Sequence, residues 1–379
     1  MSLIDSAELG LPALETKRAG KKQPSFFEFS EAEMHETVAQ VNEALADLDD
    51  ELLTRLEANG RGPEAPEALR MAERVEMKRL LREGKVIGEF SRVKPDEIGR
   101  SETRTAVIAY FESEQGEAAI MKSANGDGMT VEGRAEPFTE GLMDEEYENK
   151  LKELTARWLD NGIAKRNSRG ELRASIRQTL YAGEGWRGEV LVPAIAEVMG
   201  IANLVPATVL RSDLDGAVPV TLQKLEPYGE NAYRDLRSLP EDTIQVAAIL
   251  DYLVKQSDRH GGNLMWARKK GPESERELTL IDHAYSFVRE IDPDIGKDNY
   301  CSVFMERVMD VGDPLGEKTL RSVRRLLEMK PQMLKTFKAI FDLGEPGRGE
   351  REWQSLEMKA QEVLRHKKIP DRVRMQLLR

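Results

Sequence analysis

Ser257-Asp258-Arg259-His260-Gly261-Gly262-Asn263-Leu264-Met265-Trp266 is followed, after a polar excursion, by Leu280-Ile281-Asp282-His283-Ala284-Tyr285-Ser286-Phe287. These two segments decide how the rest of the chain is read. Asp258 and Asn263 lie five residues apart in a Gly-containing loop, and Asp282 ends the apolar run 278–281. Phosphoryl transfer from a nucleotide needs such groups. One carboxylate must sit near the attacking hydroxyl, and an amide oxygen with a second carboxylate must hold Mg²⁺ against the phosphates. Taken alone, D-x-x-x-x-N recurs by chance and Gly-Gly-Asn is simply a turn. The flanks add context. Ile244, Ala247, Ile249/Leu250 and Leu253/Val254 stand at helical spacing over 243–256, so an apolar helix delivers the loop. Residues 264–266 and 278–281 read as two short strands around the excursion.

Helix, loop, strand, excursion, strand, Asp is the order in which kinases assemble an active site, and the Asp-to-Asn step matches their catalytic loop. The two segments resemble the catalytic and metal-binding loops of the phosphatidylinositol 3- and 4-kinase-like superfamily, in its compact bacterial and type II 4-kinase-like branch. That superfamily reads D-R-H-x-x-N where ordinary protein kinases read H-R-D-x-x-x-x-N. The resemblance covers about residues 95–300. It implies an α+β, two-lobed protein-kinase-like fold that uses ATP and Mg²⁺. It also implies catalytic roles for Asp258 and His260, with either as proton acceptor, and metal ligation by Asn263 and Asp282. The acceptor it suggests is an inositol lipid. A protein hydroxyl is an equal expectation, because no basic cradle for an inositol phosphate flanks the motif.

The earlier part of the resemblance is more diffuse. Ala118-Ala119-Ile120-Met121-Lys122 is a short apolar strand ending in Lys. A kinase needs one Lys on the phosphates, held by a Glu from a neighbouring helix. Lys122 fills the first role. Glu189, at the start of a helix over 190–199 capped by Gly200, fills the second, with Glu197 as the fallback two turns later. Residues 218–225 form a strand running into a hinge, where Gln223, Lys224 and Leu225 would hold adenine. The phosphate-covering loop reads Gly99-Arg100-Ser101-Glu102-Thr103, assigning Ser101 and Thr103 to the phosphates. It has a single Gly and an acidic residue. That departure leaves room for nucleotidyl (AMP) transfer on the same fold, or for a nucleotide-binding pseudokinase scaffold. No G-x-G-x-x-G or Walker A sequence occurs.

Composition fits a cytoplasmic enzyme and leaves room for delivery into another cell as an effector. The 379 residues allow two or three domains. A lone Cys301 excludes an internal disulfide. No apolar run is long enough to span a bilayer. The net charge of −12 disfavours nucleic-acid binding. Residues 127–148 carry eight Asp or Glu against one Arg and read as a solvated acidic insertion.

The expected organisation begins with a disordered stretch over 1–24. A helical hairpin follows over 25–85. Ser30 with Glu33 makes a capping box and Phe29 with Met34 a hydrophobic staple. Met34, Val38, Val41, Leu45, Leu48 and Leu52 form a coiled-coil-like seam. That seam packs on the second helix or the N-lobe, or else mediates self-association or partner binding through the 30–58 helix. The N-lobe spans 86–222 and a mostly helical C-lobe 223–344. A linker and a basic terminal helix occupy 345–379.

Overall fold

In a computed structural model, the structure describes residues 30–58, 65–86, 91–92, 106–110, 118–123, 130–131, 134–135, 165–166, 172–173, 185–214, 219–225, 228–267, 277–287, 302–304, 314–343 and 345–370. Residues 1–24, most of the acidic 127–148 stretch, Phe29, Ser101, Thr103 and Cys301 lie outside them. The architecture is α+β, with mixed helices and small sheets. None of the described helices is long and apolar enough to cross a membrane.

Five strands form an antiparallel sheet: β1 (Ser91–Arg92), β2 (Ala106–Tyr110), β3 (Ala118–Ser123), β8 (Thr208–Arg211) and β9 (Val220–Lys224), in the order β1-β2-β3-β9-β8. The small hairpins β4–β5 (Thr130–Val131 with Arg134–Ala135) and β6–β7 (Lys165–Arg166 with Leu172–Arg173) stand apart from it. In the β3–β9 register, Ile120 faces Gln223 and Lys122 faces Thr221. Successive strand residues alternate sides, so Lys122 and Gln223 share one face of the sheet. A second antiparallel sheet joins β10 (Tyr228–Asn231), β11 (Leu264–Ala267) and β12 (Glu277–Leu280). Its two later strands carry the short apolar runs that flank the excursion.

The hairpin of α1 (Glu31–Ala58) and α2 (Ala65–Glu83) opens on the expected capping box. The Ser30 N–H donates to Glu33 Oε2 at 2.7 Å, and the Glu33 N–H reaches Ser30 Oγ at 3.3 Å. Two otherwise orphan donors are thereby satisfied. Met34, Val38, Val41, Leu45, Leu48 and Leu52 are all buried. They bury against this chain's own elements: α1 packs on α2, on β8 and on α6 (Lys330–Phe341). The seam is therefore already covered by intramolecular contacts, and the 30–58 helix as described offers no free seam for self-association. Truncating a fully buried leucine of this kind costs about 2–5 kcal/mol, so Leu48→Ala would be a severe lesion.

At the centre lies α3 (Gly185–Val198), every residue of which is buried. It starts one turn earlier than the sequence suggests, placing Glu189 inside the helix and not at its opening. Its end is a left-handed cap. Gly200 has φ +75°, its N–H bonds Glu197 O at 3.0 Å, and the Ile201 N–H bonds Ala196 O at 2.9 Å. Only Gly takes that conformation without penalty. The remaining helices, α4 (Glu241–Leu253), α5 (Glu317–Glu328), α6 and α7 (Arg348–His366), enclose the other side of the core. Trp353, Leu356, Ala360 and Val363 dock α7 onto the body. The sequence puts a linker at the start of 345–379, yet α7 already begins at Arg348. Gly349 lies against α6, where a Cβ would fall 2.6 Å from Phe337 O, and that close approach recruits the segment into the helix pair.

Candidate active site

Three chain segments converge beside β3. Lys122 Nζ lies 2.5 Å from Glu189 Oε1 and 3.3 Å from Asp282 Oδ1. Strand β3 supplies the lysine, α3 the glutamate, and the loop after β12 the aspartate. Glu197, the alternative partner, points away: it bonds Lys78 at 2.6 Å and Arg74 at 2.5 Å from α2. Gly188 explains how α3 comes so near the loop. A Cβ there would stand 2.1 Å from His283 O, so only glycine fits. The His283 backbone also helps to favour the ionised Glu189 carboxylate.

Electrostatics distinguish the two acids. Burial raises the Glu189 pKa above its ordinary value, partly offset by Lys122 and reinforced by Asp282. Burial also works against ionised Asp282, but Lys122 and the more distant Arg259 and His260 outweigh it and hold its carboxyl below the usual range. Asp282 therefore stays an anion at neutral pH. Its backbone is left-handed, φ 61°, a conformation that Asp tolerates better than most residues.

The 257–263 loop is wired to the 281–287 loop by backbone and side chains. Gln256 does most of this: its Oε1 accepts from the Asp258 N–H at 3.1 Å, and its Nε2 donates to Asp282 O at 3.2 Å. The Ser257 N–H donates to Tyr285 O at 3.1 Å and the Ile281 N–H to Asn263 O at 3.1 Å. Asn263 Nδ2 donates to Asp258 O at 2.8 Å, which leaves Oδ1 as the amide atom that could meet a cation. Phe287 then anchors the second loop. Its N–H bonds Val254 O at 2.7 Å, and its ring meets Phe337 and Phe341 edge-on at 5.5 Å each.

Beneath the loops runs a buried strut that sequence reasoning missed. Arg259 is fully buried. It bonds both Asp251 carboxylate oxygens at 3.3 Å, Ile281 O at 2.5 Å and His283 Nδ1 at 2.9 Å. Ser302 Oγ adds a 2.8 Å bond to Asp251. Burial, then the Arg259 charge, push the His283 pKa well below its ordinary value, so its ring is neutral, with Nε2 donating to Leu280 O at 3.1 Å. A signal was present: Asp251 interrupts the apolar run 246–254, and a charge in a buried helix needs a partner.

His260 is exposed, and its roles are constrained. Its Nδ1 accepts the Gly262 N–H at 2.9 Å, so in the neutral ring Nε2 carries the proton. That atom faces Asp258 Oδ1 at 4.0 Å. Beside it, the half-exposed Tyr233 covers Gly261, whose carbonyl accepts from Asn231 Nδ2 at 2.6 Å.

At the hinge, the Lys224 N–H donates to Ala207 O at 2.8 Å and the Leu225 N–H to Ala118 O at 2.9 Å. Both donors are thus engaged by this chain's own backbone. Gln223 Nε2 is buried without a hydrogen bond. Ser101 and Thr103, the two phosphate-loop candidates, fall outside the described residues. Among the described residues, no cluster of three or more His, Cys, Asp or Glu could hold a metal unaided. Asp282 and Asn263 nevertheless suit Mg²⁺, which takes hard oxygen donors and binds through one or two carboxylates when phosphates and water complete its shell.

No protein-family model matches the chain, and no curated protein matches its sequence. Among solved structures, WaaP in complex with acyl carrier protein is similar to it at 12% identity, covering 74% of this chain and 91% of that chain. The TM-score is 0.20, and a superposition that loose fixes neither fold nor activity.

Proposed function

We propose that this protein is a two-lobed, protein-kinase-like phosphotransferase that moves the γ-phosphoryl group of MgATP to a hydroxyl of a protein or an inositol lipid. One observation carries the reading: a strand lysine is gripped by a buried helical glutamate and lies 3.3 Å from a loop aspartate. Support comes also from chain order. The Lys122 strand, the Glu189 helix, strands β8 and β9, helix α4 and the two loops follow one another as such a site requires.

In this reading Lys122 places its ammonium on the phosphates while Glu189 keeps it from swinging away. Bound Mg²⁺ would neutralise charge on the phosphate oxygens, and Asp282 with Asn263 Oδ1 are the protein atoms suited to hold it. Asp258 accepts the acceptor's proton as the new O–P bond forms and the bond to the ADP oxygen breaks. His260 does not compete for that proton, since Nδ1 is occupied by Gly262 and Nε2 already bears hydrogen. Its Nε2–H instead faces Asp258 and favours the carboxylate in a productive orientation.

The test is incubation with MgATP labelled at the γ- or, separately, the α-phosphate, with protein and phosphoinositide acceptors. γ-Label in an acceptor supports the proposal. α-Label would make the enzyme a nucleotidyltransferase, and no transfer with tight ATP binding would make it a scaffold.

A further inference from the structure

We infer that the α1–α2 hairpin positions the active-site glutamate, through Glu197, Lys78 and Arg74. The inference rests on the reading of Lys122 and Glu189 given above. Glu189 and Glu197 lie on one helix, eight residues apart, about 12 Å along its axis. Apart from Arg187 they are the only charged residues in α3. The rest of its buried surface is apolar or glycine. Apolar contact is non-directional, so it resists separation of the helix from its neighbours more than small slides or rotations.

Directional restraint comes from the two ends. At the first, Gly188 rests on His283 O. At the second, Lys78 Nζ bonds Glu197 at 2.6 Å and Asp49 of α1 at 2.8 Å, while Arg74 bonds Glu197 at 2.5 Å and Ala202 O at 3.2 Å. Lys78, Asp49 and Glu197 are all buried. Between the anchors stands Pro193, which has no N–H to give Glu189 O. The turn bearing Glu189 thus lacks one internal bond and leans more on what holds the helix from outside. The hairpin is itself pinned to the sheet: Asn42 Nδ2 donates to Leu210 O at 2.8 Å and Arg211 to Gly84 O at 2.8 Å. Glu197 therefore links the position of Glu189 to the hairpin. Glu197, Lys78 and Arg74 are positioning residues in this account.

Glu197→Gln is the direct test, since it leaves Lys78 paired with Asp49. Arg74→Gln is the milder companion, because Arg74 is partly exposed and Lys78–Glu197 survives. Two readouts are taken on folded protein: MgATP affinity, and the rate at which a small amine-reactive reagent acylates Lys122 without nucleotide. Glu197→Gln is expected to weaken MgATP binding about tenfold and to speed Lys122 acylation several-fold, with Arg74→Gln shifting both less in the same direction. In a Glu189→Gln background, Glu197→Gln should change neither further, while its effect on the denaturation midpoint persists. The inference is overturned if both variants lower the midpoint yet leave acylation unchanged, or if the Glu197 effect adds in full to that of Glu189. Wild-type protein that binds no MgATP would refute the kinase reading alone, because acylation still reports the coupling.

Discussion

Lys122 and Lys78 each bridge two carboxylates, and in each case α3 supplies one of them. Their surroundings differ. The Lys122 side chain keeps 16% of its surface exposed and touches Asp282, itself 22% exposed, whereas Lys78 keeps 4% between acids of 3% and 1%. In the proposed reading the first arrangement trades a carboxylate for a phosphate, its partial exposure leaving an edge open to water. The second is sealed, and its charges can only hold one another. A buried ion pair adds little net stability over a well-packed apolar pair, but removing one member leaves the other uncompensated. A reactive site and a fastener can therefore be built from the same residue types, with burial setting which is which.

The comparison can be broken at its open end first. Asp282→Asn keeps a residue that tolerates left-handed backbone and removes the charge. Transfer of γ-label is expected to vanish while the melting temperature stays close to wild type. Persisting transfer would remove Asp282 from the site.

At the sealed end, Lys78→Met leaves Asp49 without its ion-pair partner in the core and Glu197 with Arg74 alone. A loss of about 3–5 kcal/mol is expected in denaturant titration, the range for breaking a buried pair from one side. A loss below 1 kcal/mol would mean the network is hydrated and not sealed.

Asp258→Asn separates chemistry from binding. Turnover should drop by about 10² or more, as for loss of a positioned base, with MgATP affinity held within a few-fold. If affinity collapses in parallel, Asp258 holds metal and the proton goes elsewhere.

The smallest effect is one of pH. Burial, only partly offset by Lys78, lifts Asp49 to about 6, above its ordinary carboxylate value of 3.8. A carboxyl raised on folding contributes stability in its protonated form, and that contribution is lost as pH rises through the folded value. Asp49→Asn has no such dependence, so it should gain on wild type as pH rises between about 4 and 6. Denaturation midpoints at the two ends of that window check it, and a constant difference would contradict the raised value.

Local signals were legible wherever physics is local. The Ser30–Glu33 capping box, the α1 seam, Gly200 as a cap, and the runs that became β3, β9, β11 and β12 all declared themselves by spacing and residue type. The set Lys122, Glu189, Asp258, Asn263 and Asp282 could be named from motif order. Glu189 was preferred there over Glu197 from its place at the head of the helix, and packing, which sets the helix's rotation, brings it to Lys122. Arg259 and Gln256 were passed over for a related reason. Their partners lie in another segment, and nothing in a linear motif says that an arginine inside it is fully buried.

What the sequence determined by itself is the residue types that the proposed chemistry would use and the elements that carry them, since helix periodicity, caps and loop spacing act over a few residues. Tertiary structure alone decided that the seam of α1 is covered by this chain, that Glu197 belongs to the hairpin, and that His260 Nδ1 is already occupied. Those outcomes depend on distances between segments far apart in sequence, and on burial, which changes what a charge can do without changing the residue that carries it.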